Sequence, residues 1–409
     1  MQPGVAGVTV TPMTDMSSPG ATFHDAASID YPILDCDAHV NEPPDTWVGR
    51  VPAKFRERAP KVVHRDDGDY WSFNDGESMR PVGLTATAGL SYLEFRPKGI
   101  SYESMRPGSF DTKARLADMD IDGIHLQVLY PSVTLLGAKI YGSEPELQVA
   151  CVRAYNDWLA EFCEGSDGRL IGQAILPTTG VDDTVAEMKR SLDLGHRGVV
   201  ISAFPNGTLQ PTGEDEPFWA LAQETDTPVA VHIGSFLPTT GASASGPTMD
   251  VPQFMGMAGA TKSGSHTLPV VCQLLFSGVF DRFTDLNLLL VESNIGWIPT
   301  LLEQVDDMFY RYRFFTNGEQ MRATPSRIFH RNFWASFMVD TVGMDLRHRL
   351  NVDHIMWSTD YPHTGTDWPN SRITIERNFR GLPRDEVKKM LHDNCRALYK
   401  LDHVPEHAD

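Results

Sequence analysis

Short apolar runs recur along the chain and alternate with stretches in which apolar residues follow a helical spacing. Nearly continuous apolar runs are typical of parallel strands that are covered on both faces. Eight such runs predict strands at residues 31–37, 123–130, 170–176, 197–202, 228–233, 286–292, 333–339 and 354–359. Between them, residues 144–164 place Leu147, Cys151 and Trp158 on one side of a helix. Eight strand-then-helix units predict an α/β fold, a single closed (β/α)8 barrel of the TIM type.

An open, doubly wound sheet is the main competing architecture. Such a sheet normally carries a glycine-rich phosphate-binding turn directly after its first strand. Here the first predicted strand is followed by AHVNEPPDTW, which contains no glycine. The pattern therefore favours the closed barrel.

Two insertions interrupt the alternation, one after the first strand and one after the fifth. Residues 43–110 are rich in Pro, Gly, Arg and aromatic residues, whereas residues 234–266 consist largely of small residues. Loops that follow the strands of such a barrel form its active-site face, so residues 234–266 are predicted to be a lid. A disordered surface excursion is the alternative. The barrel domain is predicted to span residues 31–403, with tails at residues 1–30 and 404–409.

The composition is that of an ordinary globular protein with an excess of acid. The 409 residues include 35 Lys+Arg and 54 Asp+Glu, for a net charge of −19. That charge disfavours binding to nucleic acid or to an anionic membrane. The sequence contains no run of 18 apolar residues and no pattern of a signal peptide. The five cysteines are odd in number and have no CxxC or zinc-ribbon spacing, which favours a reduced, cytoplasmic protein. The expected partner is a small-molecule substrate.

The strongest local signal for chemistry lies at the end of the first predicted strand. Asp37 and His39 are two residues apart, so on a strand their side chains point to the same side. They can therefore share one small ion, and Glu42 in the following turn can reach toward it. The alternative is that the two carboxylates cap loops and that His39 is an ordinary polar residue.

Two further strands end in residues of the same chemical type. His232 ends the fifth strand in VAVHIG, and Asp360 follows the eighth in WSTDYPH. A buried imidazole or carboxylate needs a partner or a metal ion. Because parallel strands end at the same mouth of a barrel, Asp37, His39, His232 and Asp360 are predicted to converge there. Mixed nitrogen and oxygen ligands suit Zn, Mn or Fe.

An ordered series of motifs runs through most of the chain after about residue 31. The series resembles the amidohydrolase-related family, in the branch that includes aminocarboxymuconate semialdehyde decarboxylase. The matching segments are DAHVNEPPDTW (37–47), RLADMDIDGIHLQVLYP (115–131), LGHRGVVI (194–201), FSGVFDRF (276–283), ESNIGWIP (292–299), RNFWASF (331–337), STDYPH (358–363) and NCRALYKL (394–401). The resemblance implies a (β/α)8 barrel with one divalent metal ion. It also implies that Asp37, His39, His232 and Asp360 are the ligands, and that the protein is a homodimer.

The chain departs from that family at two points. The decarboxylases usually carry a histidine after strand six, in an H-G-G-like turn, where this sequence reads ESNIGW at residues 292–297. The lysine that dinuclear members of the superfamily carry on strand four is absent from RGVVISAF at residues 197–204. Glu292 is therefore a candidate base, ligand of a second metal ion or structural acceptor. His363 is a candidate ligand or an orienting residue, and Arg96 and Arg106 are candidate carboxylate binders or solvated cations.

These residues allow three functional hypotheses. The first is metal-assisted hydrolysis or non-oxidative decarboxylation of a small organic acid, with Asp360, Glu292 and His363 as acid/base groups. The second is a dinuclear non-haem iron oxygenase, in which Glu42, Glu292 and His363 hold a second ion and the cofactor is two Fe. The third is a catalytically inactive partner subunit. The sequence does not name the substrate.

Overall fold

The computed structural model describes residues 29–407 except residues 136, 237–250 and 317, and without the side chains of residues 75, 251–255 and 257. Most of the predicted N-terminal tail, residues 1–30, lies outside these described residues. The strands are β1 (Leu34–Val40), β2 (Lys61–Arg65), β3 (Gly68–Phe73), β4 (Ser78–Pro81), β5 (Leu126–Pro131), β6 (Leu170–Ile175), β7 (Gly198–Val200), β8 (Val229–His232), β9 (Leu288–Val291), β10 (Phe333–Phe337) and β11 (Ile355–Trp357).

Eight parallel strands form the barrel in the order β1-β5-β6-β7-β8-β9-β10-β11. The seam between β1 and the segment after β11 is joined by backbone hydrogen bonds, in which Asp360 N–H donates to Asp37 O at 2.9 Å and His39 N–H donates to Tyr361 O at 2.5 Å. The predicted (β/α)8 fold is confirmed. Each predicted apolar run overlaps one barrel strand. β5 ends one residue later than the predicted 123–130, and β1 ends three residues later than the predicted 31–37, because that strand continues through the polar residues of the mouth.

Helices cover the outside of the barrel. They are α1 (Thr112–Asp122), α2 (Pro145–Glu164), α3 (Val181–Asp193), α4 (Glu216–Glu224), α5 (Val251–Lys262), α6 (Thr267–Phe276), α7 (Val279–Arg282), α8 (Ile298–Tyr312), α9 (Pro325–Asn332), α10 (Thr341–Leu346), α11 (Ser371–Phe379), α12 (Arg384–Lys388) and α13 (Asn394–Leu398). Among the described residues, every helix is too short or too polar to cross a lipid bilayer.

Local sequence explains where these helices begin and end. The Asp111 side chain accepts a hydrogen bond from Ala114 N–H at 2.8 Å and so caps the first turn of α1. The same helix ends at Gly123, whose φ of 74° is left-handed and suits glycine.

The barrel interior is filled by alternate residues of the strands. The buried interior cluster includes Leu34, Cys36, Leu126, Val128, Tyr130, Ile171, Val200, Ala230, Leu289, Val291, Trp334 and Met356. His232 follows Ala230 by two residues, so it continues the inward-facing row into the mouth. Val404 is also buried in this cluster, so the domain continues into residues that the sequence analysis assigned to a C-terminal tail.

A β-bulge re-aims the side chains of β1. Asp35 pairs with Gln127 of β5, and Ala38 pairs with Leu129, so β1 holds one extra residue between the two pairs. Before the bulge Cys36 belongs to the interior cluster, and after it Ala38 belongs to the outer core. The bulge therefore turns Asp37 and His39 into the mouth, whereas Asp35 points away from the interior and accepts from Gln127 and Thr359.

The first insertion contains a small sheet that the sequence analysis did not predict. Strands β2, β3 and β4 form an antiparallel meander. Trp71 of β3 packs edge-on against Trp47, with ring centroids 5.0 Å apart. Trp71 Nε1 donates to Tyr102 Oη at 2.9 Å, and Tyr102 Oη donates to Glu42 O at 2.7 Å, which ties the insertion to the segment after β1.

The second insertion holds α5, and its predicted role as a lid stays a prediction. Residues 237–250 lie outside the described part of the chain. After α5 the chain turns at Gly264, whose φ is +83°, and a Cβ there would lie 2.4 Å from the Trp297 ring. Only glycine allows both this turn and this close contact, so the end of α5 is seated against Trp297 at the start of α8.

Candidate metal centre

The ends of β1, β8 and β11 bring four side chains together at the carboxyl-terminal mouth. Asp37 Oδ1 lies 3.3 Å from His232 Nε2 and 3.5 Å from His39 Nε2. His39 Nε2 lies 3.3 Å from Asp360 Oδ1. The four residues that were predicted to converge are therefore adjacent, and all are buried.

The two histidines each offer Nε2 to the centre of this cluster. His39 Nδ1 lies 3.1 Å from Pro131 O, and His232 Nδ1 lies 3.0 Å from Ile233 O. A backbone carbonyl can only accept, so Nδ1 carries the proton in both rings. The lone pair of Nε2 is then left for a metal ion, which is the usual arrangement of metal-binding histidines.

Several polar atoms of the cluster are buried without a hydrogen-bond partner among the described residues. They are Asp37 Oδ2, His39 Nε2 and Asp360 Oδ1. Leaving such atoms unpaired in a folded interior costs about 1–3 kcal/mol each. A cation that accepts their lone pairs would remove this cost.

The spacing of the ligand atoms fits such a cation. Atoms that bind one ion at about 2.1 Å are separated by roughly 3.0–3.4 Å in octahedral or tetrahedral sites. Within the described residues, two groups have ligand atoms that all lie within 4.8 Å of one another. They are Asp37, His39, His232 and Glu292, and His39, Asp360 and His363. The donor set of imidazoles and carboxylates therefore supports a divalent metal ion.

Glu292 and Asp360 hold strained backbone positions at the ends of their strands. Their φ values are 61° and 57°, in the left-handed region that non-glycine residues rarely occupy. Such conformations cost about 1–2 kcal/mol each and concentrate at functional sites. Ser336 Oγ accepts from Glu292 N–H at 2.9 Å, and Gly365 N–H donates to Asp360 Oδ2 at 3.1 Å. The first hydrogen bond holds the backbone of Glu292, and the second holds the carboxylate of Asp360.

His363 stacks on His39, with ring centroids 3.8 Å apart. Its Nδ1 lies 3.3 Å from Asp360 Oδ1, and its Nε2 lies 2.7 Å from Ser132 Oγ. Burial and the neighbouring His39 lower the pKa of His363 to about 4. At neutral pH the ring is therefore uncharged and fixed between a serine and a carboxylate.

The charges of the cluster act on one another. Burial lowers the pKa of His232, but the Asp37 carboxylate outweighs it and raises the pKa to about 9. Burial and the Asp360 carboxylate raise the pKa of Glu292, while Lys262 and His232 oppose that rise. Burial opposes the charge of Asp360, but His363 and His39 hold the pKa of this carboxyl well below its usual value.

Lys262 is a site residue that the sequence analysis missed. It is the last residue of α5, and its Nζ forms an ion pair with Glu292 Oε1 and lies 3.5 Å from Met338 Sδ. Burial lowers the pKa of Lys262, but the Glu292 and Asp360 carboxylates outweigh this effect and raise the pKa above its usual value. The side chain is therefore a cation. The sequence held a weak indication of its role, because Lys262 lies in the insertion after the strand of His232, and such loops form the active-site face of a barrel.

Other candidates from the sequence lie apart from this cluster. Glu42 is buried, and one of its carboxylate oxygens accepts from Val133 N–H at 3.2 Å. It belongs to neither of the two described groups that could hold an ion. Burial raises the pKa of Glu42 to about 8. Arg96 is exposed, and Arg106 forms two hydrogen bonds with Asp118, at 2.6 and 2.7 Å.

Comparison with known proteins decides the family. The sequence profile of the amidohydrolase family Amidohydro_2 matches residues 34–401. The chain belongs to this family. The resemblance described from the motifs is thereby confirmed.

Two curated relatives are decarboxylases. The chain is 29% identical over 312 residues to "Decarboxylase orsB" of Emericella nidulans, covering 70% of this chain and 85% of the relative. It is 25% identical over 309 residues to the gamma-resorcylate decarboxylase of a Polaromonas species, covering 71% of this chain and 87% of the relative. The hypothesis of hydrolysis or non-oxidative decarboxylation by a metal-dependent enzyme agrees with these similarities.

Solved structures share the fold. An amidohydrolase from Mycobacterium avium subsp. paratuberculosis aligns with a TM-score of 0.70 and 19% identity, covering 91% of this chain and 98% of that chain. A dihydroxybenzoic acid decarboxylase from Polaromonas, with bound manganese and the inhibitor 2-nitroresorcinol, aligns with a TM-score of 0.58 and 18% identity, covering 91% and 98% of the two chains. At these identities the likeness shows the barrel fold.

Proposed function

We propose that this protein is a divalent-metal-dependent decarboxylase of an aromatic hydroxy acid. The observation that carries the proposal is the buried cluster in which His39 is shared by two groups of ligand atoms, one with Asp37, His232 and Glu292 and one with Asp360 and His363. Asp37, His39 and Asp360 each keep a buried atom without a hydrogen-bond partner among the described residues. The similarity to two curated decarboxylases supports the choice of decarboxylation over hydrolysis.

In this proposal, some residues of the site bind the metal ion and others transfer a proton. Asp37, His39, His232 and Asp360 would hold the ion, with Glu292 as a further ligand or an acid. The bound ion supplies Lewis-acid chemistry and fixes the oxygens of the substrate. In the reaction the bond between the ring carbon and the carboxyl group breaks, CO2 leaves, and the ring carbon takes up one proton.

Glu292 is the group that we assign as the proton donor to the ring carbon. It is ionised while it pairs with Lys262, so it takes up a proton from solvent before it gives one to the ring carbon. It lies at the rim of the cluster, with Oε2 3.7 Å from His232 Nε2. His363 is neutral at ordinary pH and is held by Ser132, so its role is to orient Asp360. This assignment gives Glu292 the place that a histidine occupies in the family's usual turn.

Several finer properties belong to the same proposal. Manganese is our first choice of metal, because a structural relative binds it, with Zn and Fe as the alternatives. A homodimer and a cytoplasmic location are further expectations. A second iron ion would draw on Glu42, Glu292 and His363. Glu292 and His363 belong to the two groups of ligand atoms, whereas Glu42 belongs to neither and accepts from Val133 N–H.

The test is to purify the protein after expression with Mn, Zn or Fe and to count the metal per chain. Each form is then given 2,6-dihydroxybenzoate, and the release of CO2 and resorcinol is followed together with O2. One ion per chain and stoichiometric CO2 and resorcinol without O2 uptake would support the proposal. Two irons per chain with O2 consumption would support the oxygenase, and absence of bound metal would favour an inactive subunit.

A further inference from the structure

The negative charge of the carboxylates in the mouth disfavours the binding of an acid, which is itself an anion. Asp37, Asp360 and Glu292 carry three negative charges within one small buried cluster. A divalent ion would leave a net charge of about −1, which repels an anionic substrate in a low-dielectric site. A further cation is needed to make the mouth attractive to a carboxylate.

Lys262 is that cation in the described part of the chain. Its ammonium group forms an ion pair with Glu292 and contacts Met338 Sδ at 3.5 Å. The side chain is 33% exposed, in contrast to the metal ligands, which are 0–3% exposed. An ammonium group has three donors, so a donor remains for a ligand in the mouth.

The position of Lys262 is built into the fold. Gly264, two residues later, lies against the Trp297 ring so closely that a Cβ would clash at 2.4 Å. Trp297 Nε1 donates to Ser293 O at 2.8 Å and to Asn294 O at 3.1 Å, in the turn that follows Glu292. One tryptophan therefore fixes both the end of α5 and the turn after Glu292.

We propose that Lys262 is the residue that binds the carboxylate of the substrate and thereby selects acids over neutral phenols. This inference rests on the proposed function for the identity of the substrate. The two arginines of the first insertion do not take this role, because Arg106 is paired with Asp118 and Arg96 is exposed on the surface.

The role predicts a specific kinetic pattern. Replacement of Lys262 by Met keeps the length of the side chain but removes its charge. Loss of a contact that binds the substrate raises KM. We expect the KM for 2,6-dihydroxybenzoate to rise at least about tenfold. We expect kcat to change as well, because Lys262 also pairs with Glu292, the assigned proton donor. Lys262→Arg should restore most of the affinity.

Binding measurements on the manganese-loaded protein provide the decisive readout. Calorimetric titration with 2,6-dihydroxybenzoate and with resorcinol, which lacks the carboxylate, compares charged and neutral ligands on the same site. K262M should weaken only the acid, whereas K189M, which removes an exposed lysine of α3, should change neither. If K262M weakens both ligands equally, Lys262 is only structural and the inference is wrong.

The same titration separates this inference from the proposed function. If the wild type binds the acid more tightly than resorcinol, and K262M abolishes that difference, Lys262 is the carboxylate anchor even when no CO2 is released. If CO2 is released but K262M and wild type bind the acid equally, the function stands and the inference is overturned. Equal affinity of the wild type for both ligands overturns the inference as well.

Discussion

Asp35 and Asp37 lie two residues apart in the same strand, and both are completely buried, yet their surroundings are opposite. Asp35 accepts four hydrogen bonds, from the backbone N–H groups of Asp37 and Thr359, from Gln127 Nε2 and from Thr359 Oγ1. Asp37 Oδ2 has no hydrogen-bond partner among the described residues. The β-bulge places the Asp35 carboxyl on the outer side of the strand and the Asp37 carboxyl in the mouth.

The contrast distinguishes a carboxyl that holds the structure from one that is kept ready for a ligand. Satisfied buried groups are the rule in folded proteins, and the rare unsatisfied ones require an explanation. Asp35 accepts hydrogen bonds from both Asp37 and Thr359, the neighbour of Asp360. It thereby joins β1 to the segment after β11, and both carry proposed metal ligands. The hydrogen bonds of Asp35 therefore hold the strands in the position that leaves the polar atoms of Asp37 and Asp360 unpaired in the mouth.

The largest expected effect comes from Asp37→Asn. The substitution keeps the shape of the side chain but removes the charge that a metal ion needs. We expect activity to fall at least about 1000-fold and metal content to drop, while the free energy of unfolding of the metal-free protein changes by less than about 1 kcal/mol. Metal analysis and denaturant unfolding of the same preparation check both parts. Full activity with a normal metal content would remove Asp37 from the site.

Asp35→Asn is the matched variant on the other side of the bulge. The substitution replaces one carboxylate oxygen by an NH2 group, which cannot accept a hydrogen bond. The two donors that reach that oxygen therefore lose their acceptor. We expect a loss of about 3 kcal/mol in the free energy of unfolding, and retained metal binding in the folded fraction. Urea titration and metal counting would show this. A stable variant with no metal would reverse the roles assigned to the two aspartates.

Removal of the metal should give a smaller effect that depends on Asp37 and not on Asp35. An ion present at 100 times its Kd stabilises the folded state by about 2.7 kcal/mol, and a chelator removes this contribution. We therefore expect EDTA to lower the melting temperature of the wild type and of the D35N variant, but not that of D37N. Calorimetry of the three proteins with and without EDTA tests this. Equal responses in all three would contradict the comparison.

The proposed ligands stand out in the sequence because each lies at or just after the end of a recognisable apolar run. Buried parallel strands leave apolar runs, and a histidine or aspartate at the end of such a run stands out, as His232 and Asp360 do. The bulge in β1 could not be found this way, since it is defined only by pairing with β5. Asp35 therefore carried no signal that separated it from its neighbours.

The parts that were missed depend on contacts between distant segments. The β2–β3 hairpin has a turn signal in Asp66-Asp67-Gly68, but its strands are short and lie in an insertion rich in Pro and Gly. Lys262 ends a helix of mostly small residues whose placement depends on Gly264 and Trp297. No local pattern in α5 reports that its end reaches Glu292.

The seam of the barrel has a consequence for how the protein is made. Asp35 and Thr359 are joined across 324 residues, so the first and the last strands of the barrel complete the mouth together. At about 5–20 residues per second, a ribosome needs roughly 15–65 s to make the intervening chain. Throughout that time the newly made Asp37 and His39 lack the carboxylate of Asp360. The complete set of proposed ligands therefore exists only after translation has passed the last barrel strand.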